Sequence, residues 1–549
     1  MQNKLNTFFS RYEFLIPLFI SILFLAASLP GNSWGAPALW NPDELIWRVD
    51  MALHGNMQFD VTEPDYNYPS LPKYVMYVIG YITYGLGRSN YAFIVAARSF
   101  SALLGAVAGV LVYVLARTIG ANKRTAALAG LLYVVSGIAV ENGRFAHNDL
   151  YLQFFTILSV LFVIKYQRSA QINWLYLSFF TVGLAASCKY TGGSLIILPI
   201  VVFVTVGWSD IRRTWLTMMG KLVLGGAIAY IGYGLGTPQA IISPVDYFLK
   251  VLPALRNLTD YGFNSGTPYG LFGQWPVFKD AVGVFCYYLF LICYLWFATR
   301  WLLWRFGVSS LQNERGSAIG AFLITILIFD LPFLISINYI GRYFIPFIPF
   351  LAILAAFFVE ELVDLGKKHG FTKFVMPLVI TVLVVGVTYS MLRLVSISLL
   401  FINDARIPAT EYIASIRGYQ KSIEYTLYPP YIEKRRFMRA HNYPIYFVEW
   451  EGDTVPTGGR YEYNLGEQGL LERDTDYFVI DSFTYDRFYT DTICNTTPVE
   501  CEFFLRLLDN DIKTYRLVKE FNYELPPYLP KVRLTAVNPK ISVYERVRE

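Results

Sequence analysis

Long apolar runs separated by short polar turns dominate the first 400 positions, and a spanning helix needs about twenty mainly apolar residues. The pattern predicts about eleven such helices, near 13–30, 91–116, 125–142, 149–165, 173–188, 193–208, 219–236, 281–299, 317–337, 343–360 and 374–396. The first run, Phe14 to Leu29, follows Lys4 and Arg11 and resembles a leader, but it is long enough to span and no cleavage site follows it, so it predicts a retained helix. Three segments, 31–90, 237–280 and 397–549, are too polar or too broken to span. In the first of them, Glu44–Leu53 and Pro72–Leu86 are amphipathic and predict short helices lying in the interface on either side of a Pro-rich stretch. In the last, short alternating runs predict strands at Ile445–Trp450, Tyr477–Asp481 and Ile541–Val547, after an opening helix at Ala409–Ile416. The expected organisation is therefore an α-helical polytopic membrane module over 1–399, with large loops at 31–90 and 237–280, and a small α/β domain over 400–549.

The charges along this pattern set an orientation. Lys and Arg collect in alternate short loops: Lys4/Arg11, Arg117/Lys123/Arg124, Lys165/Arg168, Arg212/Arg213/Lys221, Arg300/Arg305/Arg315 and Lys367/Lys368/Lys373. The loops between them hold one cation each, Arg144, Lys189 and Arg342. By the positive-inside rule the N-terminus is cytoplasmic, and all three polar segments with the C-terminus are extracytoplasmic. A multi-pass protein of a bacterial inner or archaeal cell membrane is the expectation.

Composition narrows the class. With 55% hydrophobic and only 16% charged residues, a water-soluble globular chain is excluded, and 41 Tyr with 42 Phe suit the headgroup level of a bilayer. The formal charge of +5 comes from dispersed residues, which argues against a nucleic-acid partner. Cys188, Cys286 and Cys293 lie in or beside apolar runs and read as small hydrophobes. Cys494 and Cys501, seven apart in the polar extracytoplasmic segment, are candidates for a disulfide. Four His without HExxH or CxxC imply no metal, no cofactor is firmly implied, and no P-loop, dinucleotide fingerprint or nucleophile elbow is present.

Two acidic motifs stand at the extracytoplasmic ends of helices. Asn41-Pro42-Asp43-Glu44 reads either as a well-capped helix start or as a carboxylate held at a membrane surface to accept a hydroxyl proton. Asp149, in the stretch Arg144 to Leu150 with His147, is either a cap or part of a site, because charges crowded at the end of a spanning helix must be solvated or paired. Lys189 and Arg342 either reach to headgroups or bind an anionic ligand such as a lipid phosphate. Tyr485, Asp486 and Arg487 are candidates in the C-terminal domain to face a substrate groove.

The order of these motifs resembles the GT-C glycosyltransferases, in the branch of the protein O-mannosyltransferases and lipid A aminoarabinose transferases. The likeness runs over roughly 10–400: Asn41 to Glu44, Tyr68 to Pro72, Arg98, Arg144 to Asp149, Cys188 to Tyr190, Gly236 to Pro238 and Arg342 to Pro349. The resemblance implies transfer of a single sugar, with inversion, from a polyprenyl-phosphate donor to an acceptor hydroxyl on a lipid, glycan or protein at the extracytoplasmic face. It implies Asp43 as catalytic base, Glu44 assisting, Asp149 shaping the pocket, and Lys189, Arg342 and Arg144 on the donor phosphate. His147, Lys73 and Tyr68 are implied near the substrates. The chain departs from some relatives, which carry Lys directly before Pro72 where Leu71 stands here, and it lacks the Trp-Trp-Asp motif of oligosaccharyltransferases. A transporter of lipid-linked glycans fits less well, since acids cluster at one face rather than at the midplane. A non-catalytic scaffold of the same fold conflicts with an intact Asp43 and Asp149.

Overall fold

The computed structural model describes residues 13–55, 66, 68–208, 211–260, 271–308, 313–334, 340–443, 466–489, 494–495 and 498–548. The chain divides into two compact units, one running to Asn32 and from Asp43 to Val395, the other formed by Ser33–Pro42 and the residues from Ser396 on.

The first unit is helical. Among the described residues six helices are long and apolar enough to cross a membrane: Asn90–Thr118, Asp149–Ser169, Thr214–Gly236, Gly273–Arg305, Gly341–Lys368 and the one that starts at Thr372 and ends at Ile402. Leu15–Ser28, Ile172–Cys188 and Tyr190–Val206 are shorter apolar helices. Leu378, Val384 and Val385 on one outer helix and Val223 and Leu235 on another are more than half exposed, an apolar surface that suits lipid and not water. The protein is a multi-pass membrane protein.

Several predicted helices are interrupted, each for a local reason. The run 125–142 divides into Lys123–Val135 and Ile138–Asn142 at Gly137, whose φ of 83° breaks the hydrogen-bond ladder. The run 343–360 begins as a 3-10 turn, Gly341–Phe347, before the helix Ile348–Lys368, because Pro346 and Pro349 have no N–H to donate. Likewise Tyr190–Ile196 is 3-10 ahead of Ile197–Val206. The two amphipathic helices of the first loop are Ile46–Leu53 and Leu71–Gly85; the first buries Leu45, Ile46 and Val49, and the second presents Tyr77, Val78, Tyr81 and Ile82 outward. Helix Ile46–Leu53 starts four residues later than an Asn41 cap would place it, and its N-cap is Leu45, so the cap reading of Asn41-Pro42 is corrected.

Small residues let two helices touch. A Cβ on Gly183 would lie 2.0 Å from the Ala229 carbonyl oxygen, and one on Gly232 2.5 Å from that of Phe180, so the helices Ile172–Cys188 and Ile211–Gly236 meet backbone to backbone.

The second unit holds a five-stranded sheet: β1 Ser422–Tyr425, β2 Arg439–Asn442, β3 Tyr477–Asp481, β4 Tyr515–Phe521 and β5 Ile541–Arg546, in the order β2-β1-β3-β5-β4. The pairs β1–β2 and β1–β3 are parallel, and β3–β5 and β4–β5 antiparallel. Alternation along β3 sends Phe478 and Ile480 into one core with Phe503 and Phe504, and Val479 into the other with Ile423, Ile541 and Val543, so both faces are covered. The opening helix is Arg406–Ser415. The strand expected at 445–450 lies outside the described residues. Cys494 and Cys501 are joined by a disulfide. Tyr485 is buried in the core, Asp486 pairs with Arg533 at 3.2 Å at the surface, and Arg487 Nε donates to the Phe483 carbonyl. Segment Ser33–Pro42 is held by Arg406, which pairs with Asp404 at 2.7 Å and lies over Trp40 and Trp34 at 4.4 and 5.0 Å. Trp34 Nε1 in turn donates to Asp404 at 2.8 Å.

Gly183→Val should force the two touching helices apart at a cost of about 1–3 kcal/mol. It should lower the thermal midpoint in detergent, whereas Gly220→Ala, whose new Cβ meets nothing within 4 Å, should not. Equal midpoints for the two variants would refute the backbone contact.

Candidate active site

The site is assembled at the start of the helix Asp149–Ser169. Its N-cap residue Asn148 makes no side-chain cap; instead Nδ2 donates to the Cys188 carbonyl at 3.0 Å, which fixes the end of a neighbouring helix. The next residue there, Lys189, is extended (φ −154°) and its Nζ reaches Asp149 Oδ1 at 2.8 Å. One turn beyond Asp149, Gln153 donates to the Ile345 carbonyl at 2.5 Å and accepts from the Tyr133 hydroxyl at 2.7 Å. That bond holds the 3-10 turn that carries Arg342. Arg342 bridges the two acids, with Nη2 at 2.9 Å from Asp43 Oδ2 and Nε at 3.7 Å from Asp149 Oδ2. The ring of Tyr343 lies beneath both cations, 4.4 Å from Lys189 Nζ and 5.8 Å from the Arg342 guanidinium carbon.

Exposure separates the two carboxylates. The Asp149 side chain is 2% exposed and enclosed by Lys189, His147 and Arg342, whereas that of Asp43 is 44% exposed. Burial raises the Asp43 carboxyl, but Arg342 and then His147 lower it further, so it sits below the usual carboxylate range and is ionised at neutral pH. His147 Nδ1 is 2.7 Å from Asp149 Oδ2. Burial pushes the imidazole below its usual range, more than Asp149 offsets, so the ring is neutral at pH 7. Because a carboxylate only accepts, Nδ1 carries the proton, and Nε2 is left as a buried acceptor without a hydrogen-bond partner among the described residues. The Tyr68 ring stands edge-on to His147 at 5.4 Å, its hydroxyl pushed up to about 12 by burial and hence protonated.

Glu44, which the resemblance implies as an assistant to Asp43, is held in a network of its own. It is buried, and Arg98 meets it with Nε at 2.8 Å and Nη2 at 2.6 Å. Its Oε1 also accepts from the Ala146 N–H at 2.9 Å, while the Leu45 N–H donates to the Ala146 carbonyl at 3.1 Å. Arg98 Nη1 donates to the Asn32 carbonyl at 3.1 Å. Glu44 is thus a positioning residue that ties the Asp43 segment to the His147–Asp149 segment. Arg144 does not join Lys189 and Arg342 on Asp43 or Asp149; its guanidinium donates to the carbonyls of Pro30, Val140 and Ala27. Lys73, expected near substrate, is buried and donates to the Tyr68 carbonyl at 2.8 Å, and burial pushes its ammonium well below the usual range. Among the described residues no three His, Cys, Asp or Glu side chains form a metal-ligand set.

Sequence reasoning gave no role to Arg98, Gln153 or Tyr343, and offered Asn148 only as a helix cap. Two of them carried a signal: Arg98 is a charge inside the apolar stretch of a 29-residue helix whose other charge, Arg117, sits in the last turn, so it must find a partner, and Gln153 lies one turn from Asp149 on the same face.

Residues 57–233 match the family model for dolichyl-phosphate-mannose-protein mannosyltransferase. A protein of Aquifex aeolicus (strain VF5), described as uncharacterized, is 28% identical over 191 residues, 34% of this chain and 37% of that relative's length. Among solved structures, the archaeal oligosaccharyltransferase AglB from Archaeoglobus fulgidus, in complex with an inhibitory peptide and a dolichol-phosphate, is similar with a TM-score of 0.55 over 98% of this chain and 89% of its own, at 12% identity. ArnT from Cupriavidus metallidurans, bound to undecaprenyl phosphate, gives 0.49 over 97% and 98%, at 13% identity.

Glu44→Ala leaves the Arg98 charge buried without its partner and should cost about 3–5 kcal/mol. A large drop in thermal midpoint is expected for the single variant, and partial recovery for Glu44→Leu combined with Arg98→Met. A single variant as stable as the wild type would contradict the assignment.

Proposed function

We propose that this chain, which has the GT-C glycosyltransferase fold and whose residues 57–233 match a mannosyltransferase family, transfers a single sugar, with inversion, from a polyprenyl phosphate to an acceptor hydroxyl on the extracytoplasmic side. The observation that carries this reading is the inequality of the two carboxylates: Asp43 is open to an incoming hydroxyl, while Asp149 is enclosed by cations beside it. The acceptor is a lipid, glycan or protein. The N-terminus is cytoplasmic, and the domain over 400–549 lies outside with the site.

In this mechanism Asp43 accepts the acceptor's hydroxyl proton as its oxygen attacks the anomeric carbon from the face opposite the phosphate. The bond from that carbon to the phosphate oxygen breaks, and the polyprenyl phosphate leaves with the bonding pair. Lys189 and Arg342 stabilise the charge that grows on it. Before reaction, two cations balance two carboxylates. When Asp43 takes the proton the site gains net positive charge, at the moment the phosphate gains negative charge. Arg342, released from its 2.9 Å contact with Asp43, is then free to face the leaving group.

Asp43→Asn should reduce transfer from radiolabelled polyprenyl-phosphate sugars by about 10²–10⁴-fold, with donor binding retained. Donor binding without turnover in the wild type for every sugar tried would point to a transporter instead. Arg342→Gln removes the main influence that lowers the Asp43 carboxyl and leaves the effect of burial, which raises it. Since Asp43 works ionised, the acid limb of kcat/KM should move to higher pH in this variant, and an unmoved limb would argue against Asp43 as the base.

A further inference from the structure

One cavity in the C-terminal unit plays no part in the site described above. It has a volume of about 630 Å³ and opens between the loop at 416–420 and the 3-10 turn Lys434–Arg436, lined by Arg417, Tyr419, Gln420, Glu433, Arg435 and Arg436. Its walls are fixed against each other. A Cβ on Gly418 would lie 2.7 Å from the Arg436 carbonyl oxygen and 2.7 Å from the ring of buried Phe437, so the loop can approach this closely only with glycine there. The Met438 N–H closes the base by donating to the Lys421 carbonyl at 2.9 Å.

Three arginines, Arg417, Arg435 and Arg436, and one acid, Glu433, line the cavity, and the segment that carries them is basic although Lys421 pairs with Asp476 outside it. From Arg417 to Arg439 the chain carries six cations, Arg417, Lys421, Lys434, Arg435, Arg436 and Arg439, against two acids, Glu424 and Glu433. Both acids are already matched, Glu424 by Arg473 at 2.6 Å and Glu433 by Arg436 at 2.6 Å. Arg417 and Arg435 have no ion-pair partner among the described residues. Tyr419, 86% exposed at the rim, offers a free aromatic face.

We propose that this cavity binds an anionic saccharide, its carboxylate or phosphate received by Arg417 and Arg435 and a sugar ring lying on Tyr419. Planar guanidinium forks match both anions, and a tyrosine ring supplies apolar area with a polar tip. A membrane surface would call for large apolar side chains beside the cations, and Ile416 is the one aliphatic residue in the lining. As the place where an acceptor is recognised, the cavity rests on the transferase reading; as a binding site it does not.

The test uses the full-length protein purified in detergent, with hexagalacturonate as the anionic saccharide, maltohexaose as its neutral counterpart, and inorganic phosphate. Phosphatidylglycerol vesicles probe a lipid surface. Hexagalacturonate should bind and maltohexaose should not. Arg417→Ala with Arg435→Ala should weaken hexagalacturonate at least tenfold, and Tyr419→Ala should weaken it severalfold while leaving inorganic phosphate unchanged. Undiminished binding by the double arginine variant, or preference for the vesicles through the same arginines, would overturn the proposal. Asp43→Asn separates the two readings, since it should lose transfer and keep hexagalacturonate binding.

Discussion

The geometry of the site depends on an ion pair removed from water. Glu44 and Arg98 have no exposed side-chain surface, and charges so placed are tolerated only when geometry is good and the remaining polar atoms are satisfied. Both conditions hold: two N–H···O contacts join the pair, a third guanidinium nitrogen meets the Asn32 carbonyl, and the Ala146 amide completes Glu44. Asp43 precedes Glu44 and His147 follows Ala146 in sequence. One buried carboxylate therefore sets the distance between two segments about a hundred residues apart, and with it the distance between the exposed acid and the enclosed one.

Much of this was legible in the pattern of the chain, and the exceptions have physical causes. Apolar length is a strong signal, so the positions of the long helices could be read directly. Breaks were not legible at Gly137 or around Pro346, because the runs stay apolar across them while the backbone changes course. In the C-terminal unit β1 and β2 are four residues each, too short for alternation to register, and β2 is polar at an edge. In the site, Asp43, Asp149, Lys189, Arg342, His147 and Tyr68 are brought together, whereas Arg144 is not. Sequence gave Arg144, Lys189 and Arg342 equal standing as lone outer cations, and only the fold shows that one of them serves backbone carbonyls left over at a helix end.

The same ambiguity runs through the acids. Asn41-Pro42-Asp43-Glu44 has the composition of a helix start, and composition alone favours that reading. It fails because helix capping contributes about 1 kcal/mol, whereas leaving Arg98 without its carboxylate costs several times that. The stronger demand takes Glu44 for the ion pair, the helix begins at Ile46, and Asp43 is left outside the first turn with its carboxylate turned toward Arg342.

That arrangement explains why a base can sit beside a cation without losing its purpose. A guanidinium next to Asp43 makes the carboxylate a weaker base, which taken alone would oppose proton abstraction. The opposition holds only while the pair is intact. If a phosphate anion enters and competes for Arg342, the carboxylate is released from part of the influence that lowers it, and its affinity for a proton rises. On the proposed reading, donor binding would thereby strengthen Asp43 as a base, and the pair with Arg342 would keep it weak in the donor's absence. Lys189 cannot serve this way, because it is committed to Asp149 and backed by the Tyr343 ring. The 44% exposure of Asp43 fits the same proposal: the acid that would change partners during transfer is the one that solvent can reach.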